Sequence, residues 1–114
     1  MPCTDPRDVA CLDDAFDLTT TTIVSWELEL IWAAVDFGLI TISRHADEAA
    51  IDDTVPTPAI LRVILQGRPR SKDVGYVANR WIGINFEGKI RGGRWIRVKV
   101  SWLDEYIVVT VHAL

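Results

Sequence analysis

Four side chains in the carboxyl-terminal third have the types needed to move protons beside a phosphate: His112, Arg97, Lys99 and Glu87. Imidazole titrates near neutral pH and can serve as acid or base. A guanidinium can grip a phosphate through two parallel hydrogen bonds, and an ammonium beside it adds a point charge. Glu87 is the carboxylate nearest to them by face. Metal-free cleavage at a phosphodiester needs a base for the attacking hydroxyl and an acid for the leaving oxygen. It also needs cations for the charge that accumulates on the phosphoryl oxygens. Trp81 and Trp95 can stack on splayed bases, while Arg68, Arg70, Lys72 and Arg80 extend a basic track for a nucleic-acid backbone. His45 is a further candidate.

Each of these residues also has a purely structural reading. A histidine near a strand end is commonly a hydrogen-bonded structural residue, and His45 follows a helix cap closely enough to bond locally. Arg97 and Lys99 can pair with the acidic half of the chain. Trp81 or Trp95 can sit under the N-terminal helix or at a subunit contact, which would make the protein a homodimer. None of the patterns has the specificity of a metal or phosphate-loop signature.

The elements that must position these residues follow from periodicity. Residues 94–113 contain two β-branched and aromatic runs around a short polar break, the pattern of a hairpin. Alternation sends Ile96, Val98, Val100 and Trp102 to one face and Trp95, Arg97, Lys99 and Ser101 to the other. In the last run Ile107, Val109 and Val111 are expected to share the dry face, opposite Tyr106, Val108, Thr110 and His112. Residues 80–87 repeat the arrangement, with Ile82, Ile84 and Phe86 dry and Trp81, Gly83, Asn85 and Glu87 wet. One packed and one solvated face is the signature of an antiparallel sheet.

Upstream, residues 23–38 predict a helix stopped by Gly38, with a narrow polar stripe of Ser25, Glu29, Trp32 and Asp36. Such a helix should lie across the dry face of the sheet. Glu27 falls inside the apolar arc, where a carboxylate needs a partner, and an Arg from the basic half is the expected one. A catalytic base is the alternative role for it. Ser43 should cap a second helix, Arg44 to Asp52, after an extended link at 39–42. Pro58 should open a third, ending at Gly67. Residues 67–80 read as a polar connection, with a brief edge strand near Val74 to Ala78.

The chain is 114 residues long and 49% hydrophobic, enough for one core. We expect an acidic, partly mobile segment at 1–22 and a single α+β domain at 23–114. Residues 1–57 hold 2 basic and 12 acidic side chains, whereas residues 58–114 hold 10 basic and 4 acidic. That asymmetry suggests either a basic surface for a polyanion or two halves that attract one another. No run reaches a membrane-spanning length, and the start lacks the basic-then-apolar order of a secretory signal. Cys3 and Cys11 are read as cytosolic thiols, so the expected location is cytoplasmic. Two Cys and two His without ligand spacing argue against zinc, and no cofactor is implied.

The order S-R-H-A opening a short helix, a second short helix, and strands ending V-V-T-V-H-A resembles a bacterial domain-of-unknown-function family. That family looks related to the BrnT and RelE types of toxin in toxin–antitoxin pairs, and the segments N-R-W-I-G and R-W-I-R-V-K-V are similar to BrnT. The resemblance covers about residues 39–114. It implies short helices packed on one face of a three- to four-stranded antiparallel sheet. It further implies a metal-independent endoribonuclease that cleaves RNA by 2′-hydroxyl attack, held in check by an antitoxin protein. One position departs from the pattern: where H-A-x-x-R would place a cation, this chain has Ala49 in an acidic helix. The alternative is therefore a non-catalytic relative that acts as a protein- or nucleic-acid-interaction module.

Overall fold

The computed structural model describes residues 19–74, 82–102 and 105–114. Within them the chain is α+β. Helices α1 (Ser25–Asp36), α2 (Arg44–Asp52) and α3 (Thr57–Gln66) accompany strands β1 (Thr41–Ile42), β2 (Arg68–Asp73), β3 (Gly83–Lys89), β4 (Trp95–Ser101) and β5 (Ile107–Ala113). The sheet order is β1-β5-β4-β3-β2. The expectation of three to four antiparallel strands is thus corrected to five in a mixed sheet. The link at 39–42 supplies β1, which runs parallel to β5 with Thr41 beside Ile107 and Ile42 beside Val108. The other pairings are antiparallel.

The helices form where their end signals place them. Glu27 reaches back to accept a hydrogen bond from the Val24 amide at 3.1 Å, closing the first turn of α1. Gly38, with φ of 69°, ends it, and Leu39 N–H returns to the Ala34 carbonyl at 2.8 Å. Ser43 Oγ caps α2 by accepting from Ala46 N–H at 3.1 Å. The same return motif ends α2, but Thr54 occupies its left-handed position with φ of 57°. The Arg94 guanidinium crosses from the β3–β4 turn to donate to the carbonyls of Asp53 and Thr54. Pro58 is the second residue of α3 rather than the first. Gly67 ends α3 in extended backbone, and close approach explains the glycine: a Cβ there would stand 2.4 Å from the Val63 carbonyl and 2.6 Å from that of Glu87.

α3 packs on β3 and β4, α2 packs on β5, and α1 packs on α3. The core between helices and sheet contains Ile31, Ile60, Ile64, Ile84, Phe86, Ile96, Val98, Val100 and Trp102, each at 1% exposure or less. Trp32 donates its indole N–H to the Ile64 carbonyl at 2.8 Å, which satisfies one of the orphan carbonyls at the end of α3.

Two β-bulges shift the register, and the one in β5 corrects the face assignments. In β5, Lys99 pairs with Thr110 but Val100 pairs with Val108, so Val109 is the extra residue. Alternation reverses there: Val108, expected on the wet face, is buried opposite Val100, while Val111 stays dry opposite Val98. In β2, Pro69 pairs with Phe86 and Ser71 with Asn85, which leaves Arg70 as the extra residue. Lys72 therefore lies opposite Ile84 on the covered face. Its ammonium is fully buried, 2.8 Å from Glu27 Oε2, and also donates to Glu27 Oε1 at 3.1 Å and to the Thr22 carbonyl at 3.3 Å. Glu27 has the partner its burial demands, a Lys in place of the expected Arg.

Candidate nucleic-acid interface

The uncovered face of the sheet carries a row that crosses four strands. Arg68 on β2 pairs with Glu87 on β3, Glu87 with Arg97 on β4, and Arg97 with His112 on β5. Neighbouring strands stand about 4.8 Å apart, so the row spans roughly 14 Å. Arg97 donates to Glu87 Oε2 from Nε at 3.3 Å and from Nη2 at 3.1 Å. The bulged Arg70 brings its Nε to 3.9 Å from the other oxygen, Oε1. His112 is exposed beside Arg97, and among the described residues no hydrogen bond holds its ring. In the next row along β3 and β4, Lys89 pairs with Trp95, a residue 46% exposed, and Leu114 N–H donates to the Trp95 carbonyl at 2.9 Å.

A second row, Ser71, Asn85, Lys99 and Thr110, is tied together internally. Lys99 Nζ lies 2.7 Å from Asp73 Oδ2, and Asn85 donates to Ser71 Oγ at 2.9 Å and to Asp73 Oδ2 at 3.0 Å. Lys99 and Asn85 are each only 8% exposed. This row fastens the edge strand β2 to the middle of the sheet.

The sequence candidates therefore separate. Arg68, Glu87, Arg97, His112 and Trp95 come together on one face, with Arg70 beside them. Lys99 shares the face, but Asp73 holds its ammonium, which is nearly out of solvent. Lys72 leaves the site for the core. His45 is exposed on α2, in the helical layer. Arg80, Trp81 and the edge strand expected near Val74 to Ala78 lie largely or wholly outside the described residues, as do Cys3 and Cys11. Asp73 was missed because R-P-R-S-K-D reads as a polar connection. Proline and dense charge are also how an edge strand is kept from pairing further, and that was the available signal.

The exposed ion pairs leave room for a ligand. A surface pair such as Arg97 with Glu87 contributes about 0–1 kcal/mol, so an incoming phosphate can take over the guanidinium at little cost. Four cations, Arg68, Arg70, Arg97 and Lys99, face two carboxylates, Glu87 and Asp73, so the face keeps a positive excess. Among the described residues no cluster of His, Cys, Asp and Glu could hold a metal ion, and no helix is long and apolar enough to cross a membrane. No protein-family model, curated protein or solved structure matches the chain.

Proposed function

We propose that the uncovered sheet face is a binding surface for single-stranded RNA, and that the chain is an interaction module built on a RelE- or BrnT-like α+β plan. The observation that carries this reading is the aligned row Arg68, Glu87, Arg97 and His112, with the exposed Trp95 two residues along β4 from Arg97. Guanidinium groups on alternate strands suit a phosphate backbone, and an exposed indole suits stacking by an unpaired base. An antitoxin-like protein would compete for the same face.

One observation favours a second reading, a metal-independent endoribonuclease. Glu87 and His112 flank Arg97 on either side. A phosphate seated on Arg97 would have a carboxylate and an imidazole on opposite flanks, the disposition that 2′-hydroxyl attack with a separate acid and base requires.

The experiment measures single-stranded RNA affinity over a range of salt, with cleavage followed in parallel. Affinity should fall steeply with salt, and Arg97→Ala should reduce the slope of log affinity against log salt by about 0.7. His112→Ala should leave binding nearly intact; loss of cleavage in that variant alone would select the ribonuclease. Absence of salt-sensitive RNA binding by the parent protein refutes the RNA reading.

A further inference from the structure

A cleft of about 140 Å³ lies where the end of α3 meets the end of β3, lined by Arg62, Val63, Gln66, Gly67, Gly88 and Lys89. We propose that it binds a phosphate group, held between the Arg62 guanidinium and the Lys89 ammonium. Arg62 and Lys89 are both exposed, and among the described residues neither has an ion pair. In this they differ from Lys72, Arg97 and Lys99, which each hold a carboxylate.

The two glycines let the end of α3 close onto β3 at the cleft: a Cβ at Gly88 would lie 3.4 Å from the Gly67 Cα and 3.2 Å from Val63 Cγ2. The carboxyl end of a helix normally disfavours an anion through its unsatisfied carbonyls. Here the Val63 carbonyl accepts from Gly67 N–H at 2.8 Å and the Ile64 carbonyl accepts from the Trp32 indole at 2.8 Å. Two of the last-turn carbonyls are therefore occupied, and the Gln66 side chain stands beside the cleft with an amide donor.

The phosphate group can belong to an RNA backbone or to a small phosphorylated molecule. The cleft does not depend on the RNA reading, although Lys89 pairs with Trp95 and so adjoins the polar face. Inorganic phosphate, titrated into the full chain and followed by amide NMR, tests it directly. Saturable shifts at Gly67 and Gly88 are expected, weakened at least tenfold by Arg62→Gln combined with Lys89→Gln. An unchanged unfolding midpoint would show that the double variant remains folded. Non-saturating shifts, or equal binding by the double variant, overturn the site. A second arm measures the salt slope for single-stranded RNA. A decrease of about 0.7 in Arg62→Gln assigns the phosphate to an RNA backbone. An unchanged slope, with inorganic phosphate still bound, assigns it to a small ligand. Phosphate binding without RNA binding by the parent removes the RNA reading and leaves the cleft standing.

Discussion

Replacing Lys72 by Met removes a cation from a site with no solvent to take its place. Both side chains of the Glu27–Lys72 pair are 0% exposed, so solvent screening does not reduce the effect. Among the described residues the variant leaves Glu27 with the Val24 amide as its remaining hydrogen-bond donor, and the Thr22 carbonyl loses its ammonium donor. Breaking a buried pair from one side costs about 3–5 kcal/mol, because an uncompensated charge stays behind. Whole-domain stability is typically about 5–15 kcal/mol, so the single variant should sit close to unfolding. Glu27→Leu should be about as damaging, since it strands the ammonium. The double variant, Glu27→Leu with Lys72→Met, removes both charges and should recover most of the loss, ending near the parent or above it. Urea unfolding of the four proteins supplies the double-mutant cycle. A Lys72→Met variant within about 1 kcal/mol of the parent, or a double variant that loses the sum of the two singles, would refute the reasoning.

Three other outcomes are expected. Thr54→Gly should raise stability by up to about 1 kcal/mol in the same assay, because a β-branched residue holds the left-handed position that ends α2; a loss would show that the Thr54 side chain contributes more than its backbone costs. Gly67→Ala should cost at least about 2 kcal/mol, since its Cβ would meet two backbone carbonyls and force α3 away from β3. Val98→Ala, at a fully buried position in β4, should lower the unfolding free energy by roughly 1–3 kcal/mol, and an unchanged urea midpoint would contradict the burial.

Much of this fold can be read from local signals. Ser43 as a cap, Gly38 as a stop and the dry face of β4 depend on a few neighbouring residues, and each appears as expected, whereas Lys99 and Ser101 on its other face are buried. Register explains the misplaced side chains. Arg70 and Val109 are bulged residues, and a period-two reading has no means of counting an extra one. The β5 bulge reverses the face assignments on its N-terminal side, which puts Val108 beneath the helices, and the β2 bulge turns Lys72 inward from a stretch read as a connection. The paired carboxylates on the polar face depend on β2 being a strand, so the Asp73–Lys99 contact was invisible once 67–80 was taken as a connection. The Arg97–His112 pairing survived because both residues lie on the same side of the β5 bulge. The Arg62–Lys89 cleft joins a helix end to a strand end, and no local pattern announces it.

The position of β5 in the sheet bears on how the protein comes to be made. It is the last of these five strands to be synthesised, yet it sits in the interior, between β1 and β4. Until residues 107–113 emerge, β1 has no strand to join, the buried face of α2 has no β5 surface beneath it, and β4 presents an open edge. A ribosome-bound chain lacking this strand therefore holds exposed apolar surface and unpaired backbone, the two features that invite aggregation. Its entry brings one strand against partners on both sides, with Thr41 meeting Ile107 at long sequence separation. Contacts of such long sequence separation are slow to form, so folding speed should depend most on how readily the final strand enters the gap left for it.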